Sequence, residues 1–326
     1  MPQLVGKEIG PIGYGLMGFT WRAEPTPTDE AIETMRAALE DGLNFWNAGE
    51  FYGTAEYNSM HLLERYFAKY PEDADRVVLS VKGAAGSHGG GPDGSPEGIR
   101  RSIDNCITLL KGRKKIDIFE CARRDHKTPL EVTFDVMNKE YVQTGKIGGI
   151  GISEVKASTL REAAKITKLA AVEIEFSLFS TDPLQNGLVA AAKELDIPIV
   201  AYSPLGRGIL SGQIKTVEEI PENLRIYPRY QPDVFPLNLE LVKHIETIAA
   251  KKSVTPAQLS INWIRAAGAK AGVVAIPIPG ATKASRVHEN STLVEITDEE
   301  YSELDAILKK IDIVGARYPD FIPMDG

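Results

Sequence analysis

Eight short apolar runs, each followed by residues at helical spacing, constrain this chain more than any other feature. The runs lie at 12–15, 43–47, 77–81, 116–120, 147–152, 171–175, 199–202 and 275–277. Between them, Ile32, Met35 and Leu39 form one helical stripe, and Met60, Leu63 and Phe67 another. Ile99, Ile103, Ile107 and Leu110 form a third, opened by Ser95 and Pro96. Leu130, Phe134, Met137 and Tyr141 form a fourth, behind Thr128-Pro129-Leu130-Glu131, which reads as a capping box. Strands that alternate with helices pair in parallel, and eight of them predict a closed (β/α)8 barrel, with an open doubly wound sheet as the alternative. Residues 3–9 read as a small N-terminal β-hairpin, and helical spacing continues past the eighth strand as an extra C-terminal helix. No shift in composition marks a linker, so residues 1–326 are expected to form one domain.

A net charge of −8 argues against a nucleic-acid or anionic-membrane partner. Cys106 and Cys121 are too few for a disulfide framework and read as buried free thiols. The first residues lack the pattern of a signal peptide, and no run approaches the ~20 apolar residues of a bilayer span. A cytoplasmic protein, or one both cytoplasmic and nuclear, is expected.

A parallel barrel carries its chemistry at the carboxyl ends of its strands. Asn47, Tyr52, Lys82, Ala122, Ser153 and Tyr202 all fall there. A tyrosine in a loop is most often a partly buried aromatic, but Lys82 ends a strand that has little tolerance for an ammonium unless it points into a site. An ammonium beside a phenol favours the phenolate and helps it pass a proton. The five histidines show no metal-ligand spacing, and no G-x-S-x-G elbow is present. Gly13-Tyr14-Gly15-Leu16-Met17-Gly18 matches a dinucleotide fingerprint in letters, but no helical period follows it, so it reads as a tight first barrel loop. Gly89-Gly90-Gly91 reads as a loop on the substrate side. Beyond the seventh strand, Tyr202 offers a ring for stacking, and the backbone after it can meet a pyrophosphate. Lys283 and Arg286 sit in the first turns of a helix, where cations oppose the dipole; a bound phosphate resolves that conflict, and two solvated charges are the plainer alternative.

Together, GLNFWNAGEFYG, YSPLGRGILSG and IPGATKASRVHEN resemble the aldo-keto reductase superfamily, over nearly the whole chain. With the N-terminal GYGLMGFTWR, the sequence further resembles the fungal NADPH-dependent pyridoxal reductases. The resemblance implies reduction of a small aldehyde, pyridoxal to pyridoxine in vitamin B6 metabolism, with Tyr52 as general acid and Lys82 and Asn47 beside it. It implies NADPH contacts at Ser153, Glu154, Glu173, Tyr202, Ser203, Leu205, Lys215, Gly280, Thr282, Lys283, Arg286, Glu289 and Asn290. Four positions depart from the family pattern: Asn47 for Asp, Ala122 for His, Glu154 for Asn and Glu173 for Gln. The losses at Asn47 and Ala122 would also permit a non-catalytic NADPH-binding regulatory subunit or redox sensor on the same fold.

Overall fold

The computed structural model describes residues 1–86, 91–322 and 325. Eight parallel strands are β3 (Tyr14–Gly15), β4 (Phe45–Gly49), β5 (Val78–Gly83), β6 (Ile116–Cys121), β7 (Ile147–Ser153), β8 (Leu169–Glu175), β9 (Ile199–Tyr202) and β10 (Ala275–Pro277). They pair strictly in chain order. The barrel closes where Gly13 and Gly15 donate to the carbonyls of Pro277 and Pro279, at 2.9 and 3.1 Å. Neither proline has an N–H to return, so at the seam the β3 side donates and the β10 side accepts.

Below the barrel, β1 (Gln3–Leu4) and β2 (Lys7–Glu8) form the expected hairpin. Its Leu4 and Ile9 plug the floor against Phe45, Val78, Ile118, Ala171, Val200 and Ile276, each from a different strand. Side chains alternate along a strand, so the next inward layer lies two residues on: Asn47, Ser80, Glu120, Glu173, Tyr202 and Ile278. The interior therefore changes from wholly apolar to mostly polar within one layer. A further step brings Gly49, Lys82, Ala122 and Glu175 to the mouth.

Helices cover the outside, among them α2 (Thr28–Glu40), α3 (Ser59–Lys69), α4 (Pro96–Leu110), α6 (Ala157–Ile166), α7 (Leu188–Glu194), α8 (Phe235–Lys252) and α9 (Pro256–Ala271). Ser95 caps α4 as its sequence predicts, its hydroxyl accepting from the Gly98 amide at 3.1 Å. The capping box expected at Thr128 does not form. The Thr128 hydroxyl donates instead to Asp125 at 2.7 Å, and α5 (Leu130–Val136) starts after Pro129 with no side-chain cap. A single turn, α1 (Met17–Thr20), starts within the Gly13–Gly18 motif and is too short to be a dinucleotide-binding helix. The long connection after β9 holds three short 3-10 turns, Gly206–Ser211, Glu222–Leu224 and Pro228–Tyr230. The extra helix is α11 (Asp298–Leu308), after which the chain returns across the barrel mouth. His88, Gly89 and Gly90 lie outside the described residues.

Candidate active site

Tyr52 is set by a loop that leaves it one conformation. Its amide donates to the Gly49 carbonyl at 3.2 Å, and its own carbonyl accepts from the Thr20 hydroxyl at 2.6 Å and the Ser59 amide at 3.1 Å. Its ring lies on Gly49, where an added Cβ would fall 2.9 Å from ring carbons. Trp21 stacks on the other side, 5.3 Å between centroids, and Phe51 meets both rings edge-on.

Lys82 rises from the end of β5, with its ammonium 5.5 Å from the centre of the Tyr52 ring. It donates to Asn47 Oδ1 at 2.5 Å and to Glu173 Oε1 at 2.5 Å. Asn47 in turn donates through Nδ2 to the other Glu173 oxygen at 2.6 Å, and more distantly to Glu120 at 3.3 Å. Ser80 donates to the same Glu120 oxygen at 3.0 Å, which stands 3.8 Å from the ammonium. None of these side chains is more than 5% exposed. Gly151 makes room for Glu120: a Cβ there would lie 3.0 Å from the glutamate's own Cβ.

The electrostatics follow from burial and the two carboxyls. Burial pushes the Tyr52 phenol up, the nearby ammonium pulls it down, and Glu173 and Glu120 push it up again, to about 12 in all. The net direction is opposite to what Lys82 alone predicts, and it keeps Tyr52 a neutral donor at physiological pH. Burial also disfavours the Lys82 ammonium, but Glu173, Tyr52 and Glu120 more than reverse this and hold it above the usual lysine range. Burial and the neighbouring Glu173 raise the Glu120 carboxyl to about 8, which favours its protonated form.

The second layer of charge sits at the rim. Glu154, at the end of β7 with φ at +50°, accepts from the Glu175 amide at 2.8 Å and pairs with Arg317 at 3.0 Å. Arg317 also reaches Glu175 at 3.4 Å. The Tyr202 hydroxyl meets that of Tyr318 at 2.7 Å, while Arg123, Arg207 and Arg317 all lie within 5.8 Å of the Tyr318 ring. Ala122, just past the end of β6, offers only its backbone: its amide donates to the Gly83 carbonyl at 3.0 Å, and its own carbonyl accepts from Arg123 at 2.6 Å. His126 points away, 3.2 Å from Asp325.

Sequence reading brings Asn47, Tyr52 and Lys82 into one cluster, as observed. It assigns Glu173 and Glu154 to the nicotinamide carboxamide, whereas in the structure Glu173 has both oxygens engaged by Lys82 and Asn47, and Glu154 is paired with Arg317. It misses Glu120, whose signal was available: an acidic residue inside a strand buried on both faces. It also misses Arg317 and Tyr318, which carry no local signal.

The remaining expected cofactor residues suit a dinucleotide. Ser153 Oγ is buried at the end of β7 without a partner, as a hydroxyl awaiting a carboxamide would be. Gly280 bridges Gly15 at the barrel seam, and Thr282 follows beside Gly18. Ser203 and Leu205 follow β9, Ser203 with φ at +49°. Lys283 is the N-cap of α10 (Ala284–Ser291) and gives it no side-chain cap, which leaves the helix amides open to an anion. Lys215 pairs with Glu246 at 3.2 Å and Arg286 with Glu289 at 2.5 Å; Asn290 is buried on the same helix.

Residues 11–309 match the model of the aldo/keto reductase family. Among similar proteins is "Probable pyridoxal reductase 2" of Schizosaccharomyces pombe, 41% identical, with 98% of this chain and 97% of that one aligned. "Aldo-keto reductase yakc [NADP(+)]" of the same organism is 32% identical, over 97% of this chain and 93% of its own. A glycerol dehydrogenase from Gluconobacter oxydans superposes with a TM-score of 0.82 at 21% identity, covering 98% of both chains, a likeness of fold. The chain belongs to the aldo/keto reductase family and is an NADP-dependent carbonyl reductase.

Proposed function

We propose that this protein reduces pyridoxal to pyridoxine with NADPH, and that Tyr52 delivers the proton. The observation that carries the chemistry is the buried, neutral Tyr52 phenol beside an ammonium that is held charged. Support for the substrate comes from the 41% identical relative and from the exposed Trp21 beside Tyr52, on which a planar pyridine ring can stack.

NADPH, when bound, supplies the hydride to the carbonyl carbon. Ser153 would hold its carboxamide, Tyr202 its nicotinamide ring, the backbone after β9 its pyrophosphate, and Lys283 with Arg286 its adenosine phosphate. Tyr52 then transfers its proton to the carbonyl oxygen. The phenolate left behind is stabilised by Lys82, and proton transfer of this kind contributes about 10²–10⁴-fold. Ala122 supplies no side-chain donor to orient the carbonyl. Pyridoxal carries a phenol next to its aldehyde, and an internal hydrogen bond from that group does the orienting. Two buried free thiols fit a reducing, cytoplasmic setting.

The test follows nicotinamide absorbance with NADPH and either pyridoxal or aromatic aldehydes lacking the ortho hydroxyl. Turnover of pyridoxal with a clear advantage in kcat/KM is expected. Equal kcat/KM for both kinds of aldehyde removes the substrate-assisted orientation. Tight NADPH binding without turnover of any aldehyde moves the chain to the sensor reading.

A further inference from the structure

We propose that Glu173 is the counter-ion of Lys82 and a positioning residue for the proton step, carrying across the barrel on β8 the negative charge that position 47 on β4 does not have. What the pair does rests on the reductase reading above; the pair itself stands on geometry.

Asn47 sits between the two charged groups and bonds each with the matching end of its amide. Its oxygen accepts from Lys82 at 2.5 Å, and its nitrogen donates to Glu173 at 2.6 Å, while Lys82 and Glu173 also touch directly at 2.5 Å. This is a closed triangle in which one corner is positive, one negative and one neutral. A neutral amide at position 47 suits it because both neighbours are served at once. A carboxylate at 47 would face the Glu173 oxygen at that 2.6 Å separation with no proton between them. An amide at 173 alone would leave the ammonium without a close anion, since Glu120 stands 3.8 Å away and is held by Ser80.

The amide and the carboxylate therefore have to change together. Asn and Asp have the same shape, as do Gln and Glu, so exchanging both moves the charge without changing volume. With both exchanged, the carboxylate at position 47 would accept from Lys82 and from the amide at position 173. The triangle would close again with its negative corner on β4. The other groups facing the ammonium are the Tyr52 phenol from the loop after β4, the Glu120 carboxyl from β6 and the Ser80 hydroxyl from β5. Among these, the Glu120 carboxyl and the Tyr52 phenol can take up the lost charge, each only by giving up its proton.

The experiment is a cycle of Glu173→Gln, Asn47→Asp and the double variant, read by Tm and by the pH profile of kcat with NADPH and pyridoxal. Each single change is expected to lower Tm. Glu173→Gln is expected to lower kcat by ~10²-fold and shift its pH dependence, because a poorly held ammonium stabilises the phenolate less. The double variant is expected to recover the wild-type Tm, pH profile and most of kcat. Rescue of all three establishes the exchange. A double variant no more stable than the worse single one overturns it, as does Glu173→Gln with a wild-type pH profile and kcat. Wild-type protein that reduces no aldehyde refutes the reductase reading and the proton-step role, while the Tm cycle still decides the ion pair.

Discussion

Strand β8 points two glutamates into the barrel, and they meet opposite fates. Glu173 lies in the polar layer against Lys82, with every partner supplied by a barrel strand: Asn47 from β4 and Lys82 from β5. Glu175, two residues on, lies at the rim with Glu154, and their cation is Arg317, 163 residues along the chain from Glu154 in the segment after α11. Arg317 keeps 25% of its side chain exposed, against 5% for Lys82. The inner pair is fixed by the sheet that makes the barrel. The rim pair depends on a strap of chain laid across the mouth, tied by Val314 to Asn238 and by the Gly315 carbonyl to Arg229. Proton chemistry is thus built on the sheet itself, and the rim pair on a segment outside it.

The comparison breaks most visibly at Lys82. Lys82→Met leaves Glu173 buried without its cation and is expected to cost about 3–5 kcal/mol of stability, measured by denaturant unfolding, together with nearly all turnover. Arg317→Ala removes a cation that water can partly replace. It also leaves two buried carboxylates, Glu154 and Glu175, but at the rim, so its stability loss is expected to be smaller than that of Lys82→Met, with the main effect on KM for the nicotinamide cofactor and little on kcat. If Arg317→Ala costs as much stability as Lys82→Met, the distinction between the inner pair and the rim pair fails.

A smaller effect sharpens the inner side. Glu120 keeps its proton to about pH 8 in the folded protein, whereas an unfolded glutamate loses it near pH 4.3. A carboxyl raised in this way contributes fully in acid, and its contribution falls as pH rises from the unfolded value through about 8. Glu120→Gln is therefore expected to flatten the decline of Tm between about pH 5 and pH 8. A slope unchanged from wild type would mean that Glu120 is already ionised.

Much of this was legible in the chain because period and position carry it. The barrel follows from short apolar runs alternating with helical stripes, and the placement of Lys82 and Tyr52 follows from strand ends. What was not legible is pairing across the barrel. Glu173 reads as a substituted cofactor contact until β8 is seen to face β4 and β5 across the interior, because alternation says that a side chain points inward but not what it meets. Thr128 shows the same limit locally: its spacing fits a capping box, yet Asp125 is nearer and takes the hydroxyl. Arg317 and Tyr318 were invisible because nothing in residues 309–322 has a period, and their role arises only from where the strap lies.

The most direct test of the account is Tyr52→Phe, which removes one hydroxyl and leaves the ring between Gly49 and Trp21. Loss of pyridoxal reduction by ~10²-fold or more, with NADPH binding unchanged by fluorescence titration, is the predicted result. Turnover equal to wild type would contradict it and take the proton from another group.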